Sequence, residues 1–145
     1  MRVSVVIPVH NEAGNIAPLL LEVSTALASD SLAEIIVVDD ASEDATGDEV
    51  KALMGALPTV RYLRLARRVG QSAALRTGIL AAACPVIATM DGDGQNDPQD
   101  LAVLLRRIGV PGTRHPALVA GIRQNMRATP AKRRASRFAN AVRRR

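Results

Sequence analysis

The sequence predicts an α/β fold, a mostly parallel sheet with helices on both faces. Three observations point there. Short β-branched runs alternate with longer amphipathic segments along the chain. The runs are continuously apolar, as strands covered on both sides are, instead of alternating in polarity. Four of them also end in a polar or charged group, and sheets of this kind bind ligands just outside the carboxyl ends of their strands.

Arg2–Ile7 (RVSVVI) is β-branched and closed by Pro8, so it is the first strand. Glu12–Ala28 places Ile16, Leu19, Leu20, Val23 and Leu27 at helical spacing, which predicts an amphipathic helix. Ala33–Val38 (AEIIVV) is the second strand, ended by Asp39-Asp40. Asp44–Ala56 is the second helix, with Ser42 and the acids Glu43 and Asp44 suited to its start. Val60–Ala66 is the third strand, Gln71–Ala83 an Ala-rich third helix, and Pro85–Met90 the fourth strand, ended by Asp91. Pro98–Ile108 is the fourth helix, opened by a proline at its first turn. Ala117–Ala120 is a fifth strand and Pro130–Arg144 a basic last helix.

At 145 residues the chain is long enough for one domain with a real core. It divides into a domain over residues 1–125 and a basic helical segment over 126–145. The single cysteine, Cys84, excludes an internal disulfide and a multi-cysteine zinc site, and reads as a small buried residue. Apolar runs are too short for a membrane span or a signal peptide, so a cytoplasmic protein is expected. Aromatic residues amount to Tyr62 and Phe138, too few for a platform that stacks single-stranded nucleic acid. Charge is unevenly placed. Residues 1–104 carry 14 acids and 7 bases, a balance of −7, whereas residues 105–145 carry 12 bases and no acid, a balance of +12. The tail therefore suits phosphate or an anionic membrane surface. Ala135, Phe138, Ala139 and Val142 form a thin apolar stripe in it, which fits a peripheral helix or the covered side of an ordinary one. Nucleic-acid binding is the weaker reading of the basic tail, since it leaves the acidic strand ends unexplained.

The chemistry concentrates in Met90-Asp91-Gly92-Asp93-Gly94-Gln95-Asn96-Asp97-Pro98. Carboxylates at i and i+2 on extended backbone project to one side. Glycines between and after them let a bulky ligand come close. Asp91 and Asp93, with the Gln95 amide oxygen, make a hard donor set for Mg²⁺ or Mn²⁺. The plain alternative is a surface turn. Asp39-Asp40 could accept a nucleobase N–H or cap the next helix, and Asn11 and Glu12 could likewise be a cap and a first-turn acid. No P-loop is present, and no G-x-G-x-x-G follows the first strand.

Several blocks taken together resemble the family 2 glycosyltransferases: Val5–Glu12 (VVIPVHNE), Val37–Thr46 (VVDDASEDAT), Arg67–Leu75 (RRVGQSAAL) with Gly78, Met90–Pro98, and Gly121-Ile122-Arg123 with Arg127. The fourth block is similar to the form in the polyprenyl-phosphate, dolichol-phosphate mannosyltransferase-like branch. The resemblance implies a GT-A, Rossmann-like nucleotide-diphospho-sugar transferase fold, here C-terminally truncated, since family members usually continue with an acceptor-binding segment. It implies that Pro8, Asn11, Glu12 and Asp40 line the nucleobase and ribose pocket, and that Asp91 faces the nucleotide. Asp93 and Gln95 would hold the metal, and Arg123 and Arg127 would meet phosphate of donor or acceptor. Arg68 departs from the pattern, standing where the family usually has Asn.

The function so implied is transfer of a sugar from a UDP- or GDP-sugar, with Asp91 and Asp93 as the catalytic carboxylates. A sugar hydroxyl acceptor would need a carboxylate base, and no acid follows Asp100. A phosphate acceptor, with a second pKa of about 6, needs cations instead. That favours a polyprenyl phosphate, met at the cytoplasmic face of a membrane. The alternative is a nucleotide-sugar-binding module without turnover.

Overall fold

The computed structural model describes residues 2–27, 31–108 and 118–121. The elements run β1 (Val3–Val9), α1 (Ile16–Ala26), β2 (Leu32–Asp39), α2 (Thr46–Met54), β3 (Val60–Arg64), α3 (Gln71–Ala81), β4 (Val86–Thr89) and α4 (Pro98–Arg107). Among the described residues the sheet has four strands in the order β3-β2-β1-β4, with every pairing parallel. The chain first builds outward from β1 to β3, then crosses back to place β4 on the other side of β1. The sheet's order therefore reverses between β1 and β4, and a crevice opens there at the carboxyl ends.

Side chains alternate across the sheet, and two cores follow. Val3, Val5, Ile7 and Val9 of β1 and Ile35 and Val37 of β2 pack with Ile16, Leu19, Leu20 and Val23 of α1, Val50 of α2 and Leu101 of α4. Helix α1 has no side-chain cap and no first-turn acid. Its stability comes from these buried aliphatic side chains, each contributing roughly 1.5–3 kcal/mol relative to exposure. On the opposite face Val6, Ile36 and Val38 meet Ala74 of α3. That helix approaches closely because of Gly78, where a methyl group would overlap Val6 and lie 2.9 Å from Val38 Cγ2.

Element bounds differ from the sequence reading for physical reasons. Strand β1 runs through Pro8 to Val9. Its pairing with β4 ends at Val6↔Thr89, so the missing proline N–H falls beyond that ladder. Helix α1 starts at Ile16, not Glu12, because Asn11 is left-handed (φ 56°) and the backbone of residues 11–14 bonds to side chains of the β2–α2 loop and of α2. Strand β3 stops at Arg64, opposite Asp39, the last residue of β2. Leu118–Gly121 form no strand, and Leu118 is 83% exposed, so the expected fifth strand is not seen there; Ala117 lies outside the described residues. The basic segment 126–145, with the expected helix Pro130–Arg144, also lies outside them. Cys84 is half-buried, not buried, and its N–H donates to Ser4 Oγ (3.1 Å).

Candidate functional site

Four loops meet at the crevice. A cleft of about 340 Å³ is lined by Pro8 and Val9 at the end of β1, His10 and Glu12 after it, Asp40 after β2, Arg68, Gly70, Gln71 and Ala74 around the start of α3, and Asp91-Gly92-Asp93 after β4.

The loops after β1 and β2 are bound to each other. Asn11 N–H donates to Ser42 Oγ (3.0 Å), and Glu43 N–H donates to Asn11 Oδ1 (2.8 Å). Glu12 N–H donates to Thr46 Oγ1 (2.8 Å), Ala13 N–H to Asp44 Oδ2 (3.1 Å), and Gly14 N–H to both Glu49 oxygens. Asp44 also accepts from Thr46 N–H and Oγ1–H, and the Thr46 hydroxyl bond leads in holding its carboxyl below the ordinary range. His10 Nδ1–H donates to the Asp40 carbonyl (2.8 Å). Asn11 thus spends its amide on loop structure and does not line the cleft.

The adjacent acids at the end of β2, Asp39 in the strand and Asp40 just after it, point to opposite faces of the sheet, as period-two geometry requires. Asp39, fully buried, accepts from Ser42 N–H (2.7 Å), Tyr62 Oη–H and Arg64 Nη1–H (2.9 Å). Burial pushes its carboxyl up, but the Ser42 and Tyr62 hydrogen bonds and the Arg64 charge outweigh that and hold it below the ordinary range. Tyr62 is pushed up, by burial first and then by the Asp39 carboxylate. Asp40, 3% exposed, accepts from Val69 N–H and Gly70 N–H, each at 2.7 Å. It pins the loop leading into α3.

That loop in turn reaches the acids after β4. Gln71 Nε2–H donates to Asp91 Oδ1 (2.8 Å). Asp93 Oδ1 accepts from Gln95 N–H (3.0 Å), closing a tight turn. The second oxygen of each aspartate has no hydrogen bond among the described residues. Gly92 sits on the end of β1, where a methyl group would lie 2.5 Å from Val9 Cγ1 and 3.3 Å from the Pro8 carbonyl oxygen. Only glycine lets the two acids straddle that contact without displacing β1. Asp97 caps α4 through Gln99 N–H (2.9 Å) and so fixes the far end of the loop.

Pro8, Glu12, Asp40, Asp91 and Asp93 therefore share one cleft. Gln95 lines a second cleft of about 610 Å³, between this loop and α1. Arg123 and Arg127 lie outside the described residues. His10, Arg68 and Gln71 line the cleft without having been singled out for a role in the sequence. Their signal was position, His10 and Arg68 standing in loops after strands and Gln71 at the first residue of α3.

Two hard carboxylates with open oxygens, beside room for substrate and water oxygens, fit a Mg²⁺ or Mn²⁺ ion. Among the described residues no group of three or more His, Cys, Asp or Glu forms a closed cage, so such an ion would be completed by its substrate.

The glycosyl transferase family 2 model matches residues 4–143. The chain belongs to that family. Among family relatives, the dodecaprenyl-phosphate galacturonate synthase of Rhizobium johnstonii is 37% identical over 127 residues, 86% of this chain and 37% of that protein. The undecaprenyl-phosphate 4-deoxy-4-formamido-L-arabinose transferase of Salmonella choleraesuis is 33% identical over 147 residues, 97% of this chain and 42% of that protein. The chain thus spans about two-fifths of the length of these curated relatives. Among solved structures, it is similar to the mannosyltransferase PcManGT of Pyrobaculum calidifontis, in complex with GDP-Man and Mn²⁺ (TM-score 0.58, 30% identity, covering 63% of this chain and 27% of that one). TarS 1-349 of S. aureus, in complex with UDP, shares the fold (TM-score 0.58, 22% identity, covering 80% of this chain and 38% of that one). The fold is the GT-A type, as the family resemblance implied. Among the described residues no helix is long and apolar enough to cross a membrane.

Proposed function

We propose that the cleft binds a nucleotide-diphospho-sugar and that the chain is the donor-binding part of an enzyme transferring that sugar to a polyprenyl phosphate. The observation that carries this is convergence: acids from separate loops meet at the reversal point of the sheet, and Asp91 and Asp93 keep open oxygens there. The donor complex of PcManGT supports the nucleotide, and the acceptors named for the two relatives support a polyprenyl phosphate.

Pro8 and Glu12 would meet the nucleoside, on the loop that Ser42, Thr46 and Glu49 hold in place. Asp91, oriented by Gln71, and Asp93 would face the diphosphate. A Mg²⁺ or Mn²⁺ ion at these two aspartates would supply charge stabilisation as the diphosphate leaves. A phosphate acceptor is ionised at neutral pH and attacks without a base. Arg123, Arg127 and the basic segment 126–145 would hold it, at an anionic membrane surface.

Calorimetric titration of UDP and GDP, each with and without Mn²⁺, tests the donor site. Metal-dependent binding of one nucleotide is expected. Binding of neither overturns the reading. Release of nucleoside diphosphate on adding sugar donor and polyprenyl phosphate separates transfer from binding alone.

A further inference from the structure

The charge balance of the cleft leaves a task undone. Glu12, Asp40, Asp91 and Asp93 all line it, so a diphosphate entering meets four carboxylates. A divalent ion offsets two of those charges. Arg68 is the one Lys or Arg among the lining residues. It forms no ion pair among the described residues, whereas Arg61 and Arg64 are committed to Glu34 and Asp39. Its loop is also fixed, because Asp40 takes the N–H groups of both Val69 and Gly70, the two residues that follow. A guanidinium held at the rim of an acidic cleft by a pinned backbone, with no acid of its own, is suited to bidentate contact with paired anionic oxygens.

We infer that Arg68 is the anion-binding side chain of this cleft, taking the anionic oxygens of the donor, either its diphosphate or a carboxylate on its sugar. This deepens the donor-site reading and rests on it. The neighbouring Arg67 does not line the cleft and serves as the control.

The test compares wild type, Arg68→Gln and Arg67→Gln in calorimetric titrations with Mn²⁺. The probes are the preferred nucleoside diphosphate, its nucleoside, and the diphosphate carrying glucose or glucuronate. Arg68→Gln is expected to weaken the diphosphate about tenfold or more, with nucleoside affinity unchanged and Arg67→Gln near wild type. Arg68→Lys should recover part of the loss. A loss confined to the glucuronate donor would assign the contact to the sugar carboxylate and equally supports the inference. Wild-type affinity of Arg68→Gln for every probe overturns it while leaving the donor site intact. Equal weakening of nucleoside and diphosphate also overturns it, since that reports a disturbed loop. Failure of wild type to bind any nucleotide overturns the donor-site reading itself, and this inference with it.

Discussion

Two pairs of aspartates lie at the ends of two parallel strands, and the fold treats them differently. After β2, all four carboxylate oxygens of Asp39 and Asp40 are engaged by the protein: Ser42, Tyr62 and Arg64 on one face, Val69 and Gly70 on the other. After β4, Asp91 and Asp93 each receive one hydrogen bond among the described residues, from Gln71 and from Gln95 N–H, and each keeps one oxygen open among them. Both pairs sit at the ligand edge of the sheet. The difference teaches that an acid's role is read from how completely its oxygens are satisfied. The β2 pair builds the loops, and the β4 pair faces what the loops enclose.

The largest effect that would break this comparison lies in the β2 pair. Asp39→Ala removes a fully buried carboxylate and leaves Ser42 N–H and the Tyr62 hydroxyl without their acceptor. A loss of about 3 kcal/mol is expected in denaturant unfolding. The acid limb follows from the same contacts. Asp39 and Glu34 both titrate below their ordinary values in the folded chain; for each, burial opposes this and is outweighed, at Glu34 by bonds from Ala83 N–H, Ser4 and Arg61. Their stabilisation is therefore present above the unfolded carboxylate range near pH 4 and is lost as pH falls through their lower folded values. Asp39→Asn should flatten that acid-side loss.

A smaller effect sharpens the other side of the comparison. Gln71→Ala frees Asp91 Oδ1 and loosens the carboxylate without touching the core, since Gln71 is exposed. Mn²⁺-dependent nucleotide affinity should fall several-fold, with unfolding unchanged to within about 0.5 kcal/mol. An unaltered affinity would mean that the Gln71 contact does not orient the site.

Much of this was legible in the sequence. Continuous runs such as Val3–Val9 and Ile35–Val38 announce buried parallel strands, and a parallel sheet gathers its strand-end residues at one edge. The cleft residues Pro8, Glu12, Asp40, Asp91 and Asp93 follow from that rule and from the family resemblance. The division of labour did not. Whether Asp40 meets a ligand or two backbone N–H groups depends on the path of residues 67–70, which no local pattern encodes. The family resemblance implies that Asn11 lines the nucleoside pocket, yet its amide closes on Glu43, a contact 32 residues away in sequence. Gln95 shares a motif with Asp93, but the turn at Gly94 carries it to the second cleft. Helix α1 starts four residues later than the apolar spacing predicts, because spacing alone says nothing of backbone N–H groups bound by side chains 31–35 residues away.

Thermal unfolding of wild type, Asp39→Asn and Asp93→Asn, each with and without Mn²⁺ and the preferred nucleoside diphosphate, tests the contrast between the two pairs most directly. The account predicts that Asp93→Asn unfolds like wild type without ligand and loses the ligand-induced rise in Tm, while Asp39→Asn unfolds earlier and keeps that rise. An Asp93→Asn chain that retains the full ligand shift, or an Asp39→Asn chain as stable as wild type, would contradict it.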